Sequence, residues 1–349
     1  MKPSVKRFTQ HPLFWPTITL ALLLIVSSVF NPSFLALTWR EGHLYGSVID
    51  ILNRAAPLMV VALGMTLVIA VRGLDISVGA VVAISATVAA LMIGGSFSAT
   101  GEVQSAHPLW LALATALAVA AACGLWNGLL VVKAGMQPIV ATLILMVAGR
   151  GIAQLLTGGQ IITVYYAPFF VLGNGYFLGL PVALWIAASL WIALHLLLSR
   201  TALGLFVRSI GGNPEAARVA GVRSSAITLC VYTFCGLAAG VAGLIVSSNV
   251  KSADANNAGQ LLELDAILAV TLGGTALTGG RFTLAGTVIG ALIIQTLTSM
   301  IYSLGVPPEV NLVVKSALVF TVMMLQSAEF RQLVARIARP NPSLQGNRR

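Results

Sequence analysis

The sequence predicts an all-α polytopic membrane protein with about ten transmembrane helices. Three observations carry that prediction. The 349 residues are 58% hydrophobic and only 9% charged, with a mean hydropathy of +0.94, whereas soluble domains carry about 25% charged residues. Several apolar runs reach the roughly 18–20 residues that a helix needs to cross the hydrocarbon core. The net charge of +10 comes from Lys and Arg gathered in the gaps between those runs, where they set orientation; a nucleic-acid partner is not expected. Backbone groups in lipid must be satisfied within the protein, which leaves helices or closed barrels, and the alternating ten-residue strands of a barrel are missing.

In chain order the spans fall near residues 13–30, 50–70, 76–94, 109–132, 138–157, 180–199, 225–248, 262–278, 284–303 and 310–328. Lys2, Lys6 and Arg7 precede the first run, but no small-x-small cleavage site follows it, so it reads as an uncleaved span. One transmembrane domain over 13–328 then lies between cytoplasmic tails at 1–12 and 329–349, the second of them basic. Gly73 and Gly79 flank the entry to the third run, and Gly273, Gly274, Gly279 and Gly280 interrupt the eighth and ninth. Such glycines mark broken or re-entrant helices. Asp75 and Ser77 stand where they can cap the third helix, and Gly73, Asp75, Ser77 and Gly79 together form a candidate gating segment. Gly124/Gly128, Gly236/Gly240 and Gly286/Gly290 permit close approach of helix backbones.

With both termini in the cytoplasm, the 20 Lys and Arg residues all reach the inner face except Arg40, Arg54, Arg150, Lys251 and Lys315. This agreement with the positive-inside rule favours an even number of spans. Cys123, Cys230 and Cys235 lie inside apolar runs without metal-ligand spacing, so no metal site is expected. No G-x-x-x-x-G-K-[ST] loop, nucleophile elbow or H-E-x-x-H motif occurs, so neither ATP hydrolysis nor any other catalysis is expected of this chain.

Charged and polar residues within the spans are candidates for a solute path. Asp50 and Arg54, four residues apart, can pair on one helix face. Arg150 has Gln154 one turn further out and Thr142 two turns inward, a face of guanidinium, amide and hydroxyl that suits a sugar. Trp126 and Asn127, near the inner end of the fourth span, offer an aromatic face beside an amide. On the outer side, Asp254, Asn256 and Asn257 form a polar loop suited to docking a soluble partner. The aromatic residues of 158–179 read as an interfacial belt.

The longest basic gap, 200–224, reads as a cytoplasmic connection. Asn213 can cap a short helix there, Pro214 suits its first position, Glu215 complements its dipole and Gly221 can end it. Glu215-Ala216-Ala217-Arg218-Val219-Ala220-Gly221 resembles the E-A-A-x-x-x-G coupling segment of ATP-binding-cassette permeases. The match covers Glu215, Ala216, Ala217 and Gly221. The apolar-proline ending of many importers is absent, since Val231-Tyr232-Thr233-Phe234 stands near that place.

Gly73-Leu74-Asp75-Ile76-Ser77-Val78-Gly79 in turn resembles the G-x-D-[IL]-S-V-G signature of ribose-type sugar permeases. Stretches 49–57, 141–151, 253–259 and 262–268 resemble the galactofuranose-importing members of that family. The resemblance implies a permease subunit in the bacterial inner membrane, importing a sugar, galactofuranose, by alternating access. It also implies a cytoplasmic ATPase holding ATP and Mg, a periplasmic sugar-binding protein, and a second permease chain, identical or similar. The alternative is an ion-coupled secondary sugar transporter, which would place carboxylates near mid-membrane. Asp50, Asp75, Glu263, Asp265 and Glu309 instead map near span ends.

Overall fold

In the computed structural model, residues 13–40, 42–94, 96–97, 103–305 and 307–326 are described; the expected tails lie outside them. The α-helices of six or more residues begin with α1 (Phe14–Phe30), α2 (Ser47–Ala70), α3 (Val78–Ile93), α4 (Leu109–Val132), α5 (Pro138–Thr157) and α6 (Val182–Arg200). They continue with α7 (Leu203–Gly212), α8 (Pro214–Val219), α9 (Ser224–Val250), α10 (Leu262–Leu272), α11 (Leu284–Ser303) and α12 (Pro308–Gln326). By length and composition α2, α4, α5, α6, α9 and α11 are able to cross a membrane.

Four of the ten expected spans fall outside these six: the first, which is the 17-residue α1, the third, the eighth and the tenth, α12. The third is the 16-residue α3. The eighth is the 11-residue α10, which rises about 16 Å, roughly half the hydrocarbon thickness. Gly274, at φ +85°, donates to the Thr271 carbonyl, and Thr275 donates to that of Val270. These bonds end α10 as a left-handed glycine cap does. The glycines therefore break the eighth span, while the ninth, α11, runs unbroken for 20 residues.

The core is built around α2. Every residue from 55 to 70 is buried, as expected of a helix that is apolar all round and enclosed by others. It packs against α9, α11, α10 and α6, and α9 also lies along α4 and α3. The small-residue pairs sit at these crossings. A Cβ on Gly236 would come 2.5 Å from the Ala120 carbonyl, and one on Gly124 would meet the Tyr232 carbonyl. On Gly286 and Gly290 it would meet the carbonyls of Gly273 and Ala269. Dispersion between close backbones, rather than hydrophobic exclusion, holds helices together in lipid.

At the end of the bundle opposite α7 and α8, four short two-stranded ladders tie the connections together. One pairs Ile162–Thr163 with Ser252–Ala253, joining the segment after α5 to the segment after α9. Phe169, expected in an interfacial belt, is fully buried beneath this ladder's cluster. Asp50 and Arg54 do not form the expected ion pair. Among the described residues the two ion pairs are Glu215–Arg218 and Asp265–Lys315, each at 2.6 Å.

Candidate functional site

The short helix α8 forms as its sequence dictates. Asn213 Oδ1 accepts from the N–H groups of Glu215 and Ala216, both at 3.1 Å, and Pro214 occupies the first turn. Gly221, at φ +84° with nothing within 4 Å of a would-be Cβ, donates to the Arg218 carbonyl, and Val222 donates to that of Ala217. Ala217 is buried, whereas Glu215, Ala216 and Gly221 are exposed and Val219 is 81% exposed. The helix thus anchors on one alanine and presents the rest of its motif to solvent.

Behind α8, the preceding helix α7 is locked to the end of α2. The α2 helix ends at Ala70, and two residues on, the chain turns at Arg72, a non-glycine residue at φ +65°, with Gly73 donating to the Val68 carbonyl at 2.8 Å. From that left-handed position the guanidinium reaches α7, Nε donating to the Gly211 carbonyl at 2.7 Å and Nη2 to that of Gly212. Gly280 closes the joint by donating to the Ala70 carbonyl at 2.9 Å. A Cβ on Gly211 would run into that same carbonyl and into the backbone of Gly280. Arg208 lies 5.4 Å from the Phe282 ring centroid. In the sequence Arg72 counts only as an orienting charge; its placement directly before Gly73, at the close of an unbroken apolar run, is the one available signal of a larger role.

The candidate gating residues form a buried cluster between α2 and α3. Asp75 Oδ1 accepts from the Ser77 N–H at 3.0 Å, the Ser77 hydroxyl at 2.6 Å and Asn127 Nδ2 at 3.4 Å. Asn127 Nδ2 also donates to Ser77 Oγ at 2.8 Å, and Thr142 Oγ1 accepts from the Ile76 N–H at 3.3 Å. The expected side-chain cap of α3 does not form: Asp75 accepts from the N–H and hydroxyl of Ser77, the residue just before the helix, and neither side chain accepts from a first-turn N–H. The signature glycines are close contacts. A Cβ on Gly73 would come 2.5 Å from Tyr232 Oη, and one on Gly79 would strike Glu263 Oε2 and the Gly259 carbonyl. Tyr232, fully buried, is a member of this cluster that its surroundings in the sequence did not reveal.

At the other end, Arg150 and Gln154 meet the loop of Asp254, Asn256 and Asn257. Arg150 Nη1 donates to the carbonyls of Ala258 at 2.6 Å and Ala255 at 3.1 Å, and Gln154 Nε2 donates to Asn256 Oδ1 at 2.6 Å. Asp254 folds the loop on itself: it accepts from the N–H groups of Asn256 and Asn257 at 2.9 and 3.2 Å and from Asn257 Nδ2 at 2.7 Å. Slight burial would raise its pKa, but these bonds and the nearby Arg150 charge hold the carboxyl below its ordinary value.

The five candidate path residues are therefore not one surface. Thr142 and Asn127 belong to the Asp75 cluster, Arg150 and Gln154 to the 254–259 loop. Trp126 is 53% exposed although Asn127 beside it is fully buried, so the two do not share a sugar-facing surface.

The comparisons with known proteins agree with one another. The chain is 47% identical over 325 residues to the galactofuranose transporter permease protein YtfT of Escherichia coli, covering 92% of each chain. It is 36% identical to the fructose import permease protein FruF of Bifidobacterium longum, covering 96% of this chain and 93% of the relative. To the ribose import permease protein RbsC of Escherichia coli it is 34% identical, covering 89% and 92%. No solved structure matches the chain. A family model described as branched-chain amino acid transport system / permease component matches residues 47–323. With that match and those relatives over nearly its whole length, the chain belongs to this permease family, within its ribose-type sugar-permease group.

Proposed function

We propose that the chain is the membrane-embedded permease subunit of a binding-protein-dependent, ATP-driven importer of galactofuranose. The 47% identity to a galactofuranose permease over 92% of both chains supports that sugar. ATP and Mg2+ are held by a separate ATPase, a periplasmic binding protein delivers the sugar, and a second permease chain, identical or similar, completes the path. The protein resides in a bacterial inner membrane with the α7–α8 end and both termini in the cytoplasm.

The observation that carries the mechanism is the joint at Arg72. The exposed Glu215–Gly221 segment docks on the ATPase, and its motion passes through α7 to the carbonyls that Arg72 grips. From there it enters α2, whose 24 residues span about 36 Å as one element. Packed interfaces transmit small displacements as rigid-body shifts because they do not deform continuously. The Asp75 cluster, at the hinge between α2 and α3, gates the path. The 254–259 loop, pinned by Arg150 and Gln154, receives the binding protein.

Reconstitution of the chain with its ATPase and binding protein in vesicles tests this reading. Glu215→Lys and Gly221→Trp are expected to abolish both stimulated ATP hydrolysis and uptake while leaving membrane insertion intact. Uptake by the chain alone, driven by an ion gradient and indifferent to both substitutions, would overturn it in favour of a secondary transporter.

A further inference from the structure

We propose that a cavity at the end of α2 remote from Arg72, apolar over most of its wall but studded with polar groups, is a binding site for a neutral polyhydroxylated ligand, the transported sugar. The cavity, of about 650 Å³, lies between α2, α9 and α11 and is lined by Asp50, Arg54, Asn249, Gln295, Ser299 and Tyr302 among others. Its volume falls within the roughly 300–1,000 Å³ of small-molecule sites. As a site it rests on the sugar-permease reading above.

Four groups in it have hydrogen-bonding capacity that the fold does not use. The carboxylate of Asp50, the guanidinium of Arg54 and the side-chain amides of Asn249 and Gln295 make no hydrogen bond or ion pair among the described residues. The other two cations that fall within or at the ends of expected spans, Arg150 and Lys315, are by contrast engaged by protein partners. Asp50 and Arg54 stand one turn apart on α2, where side chains three or four residues apart are neighbours, yet they do not close on each other. Asp50 and Arg54 lie in the first two turns of α2 and are both exposed, so water reaches the cavity.

The balance of these groups selects the ligand class. One anion and one cation cancel, so an ionic ligand gains no net attraction. Two amides and the Ser299 hydroxyl both donate and accept, matching hydroxyls that do the same. Tyr302, 56% exposed at the rim, offers a ring face for the C–H face of a sugar. The site sits at one end of the helix whose other end Arg72 ties to the coupling segment, so a shift of α2 alters Asp50 and Arg54 relative to Asn249 and Gln295.

The test uses the full chain in lipid nanodiscs with radiolabelled galactose, whose ring isomers in water include the furanose. Equilibrium dialysis is expected to show saturable binding that weakens at least about tenfold, about 1.4 kcal/mol, in Arg54→Ala and in Gln295→Ala. Arg54→Lys, a point charge without the fork, retains part of it. Gln295→Ala guards against an Arg54 variant that fails to insert. Binding that is absent from the wild type, or equal in wild type and both alanine variants, would overturn the site. Vesicle uptake by the wild type with its ATPase and binding protein judges the permease reading separately. If uptake proceeds but binding does not respond to the variants, only the cavity fails. If the wild type takes up no sugar under ATP, the permease reading itself fails.

Discussion

Arg72→Ala separates the coupling segment from the transport helix without touching either the ATPase-facing surface or the proposed sugar site. The substitution removes a part-buried bond from Nε to the Gly211 carbonyl at 2.7 Å and an exposed one from Nη2 to Gly212. Hydrogen bonds from a charged donor contribute about 1.5–3 kcal/mol when shielded and less in solvent, so the joint loses about 2–4 kcal/mol. That raises the ratio of released to docked joint by about 30- to 1,000-fold. The Gly280 bond to Ala70 remains, so the fold persists. The assay is sugar taken up per ATP hydrolysed in reconstituted vesicles, which is expected to fall at least about tenfold while stimulated ATP hydrolysis stays within about twofold. Arg72→Gly distinguishes the bonds from the backbone: it uncouples equally but is more stable than the alanine variant by about 1 kcal/mol, because only glycine adopts φ +65° without penalty. An unchanged coupling ratio in a correctly inserted Arg72→Ala protein would refute transmission through this joint.

Other perturbations test the packing and the loops. Gly79→Ala places a methyl group against Glu263 and the Gly259 carbonyl; overpacking of about 1–3 kcal/mol should lower the thermal midpoint in detergent and reduce uptake. Lys315→Met leaves Asp265 without its 2.6 Å partner. Because the two side chains retain 15% and 23% exposure, the cost is about 1–3 kcal/mol rather than the 3–5 of a fully buried pair, and the double variant Lys315→Met/Asp265→Leu should recover most of it. Asp254 has a carboxyl held below its ordinary value, so its contribution to the loop is complete above the ordinary carboxylate range and is lost as pH falls through the lowered value. The protection of the Asn256 and Asn257 amides, taken relative to their intrinsic exchange rate at each pH, should therefore fall in acid, and Asp254→Ala should leave both amides weakly protected at every pH.

Features that depend on a few neighbouring residues were legible in the chain. The Asn213 cap, the first-turn Pro214 and the Gly221 terminus of α8 all formed where the sequence placed them, because each satisfies backbone groups within one turn. The apolar runs likewise located most of the helices. The glycines at 273 and 274 signalled a broken span, but not that α10 would stop at Leu272 while α11 ran whole; that depends on Gly286 and Gly290 allowing α11 to lie against the carbonyls of Gly273 and Ala269.

Partner choice was decided only by the tertiary structure. Asp50 and Arg54 had the right spacing to pair, yet both were left to a cavity whose other walls come from α9 and α11. Asn127 joined Asp75, Arg150 joined the loop after α9, and Arg72 joined Gly211, across separations of 52, 105 and 139 residues. Spacing along one helix fixes which face a side chain occupies. Which rigid element that face then meets is set by how glycine contacts and bulky side chains let the helices approach, and no local pattern encodes it. By itself the sequence determined a membrane bundle with one basic connection and its short capped helix; the packed structure determined that Arg72, just past the end of the central helix, grips this connection, and that the opposite end carries polar groups without protein partners among the described residues.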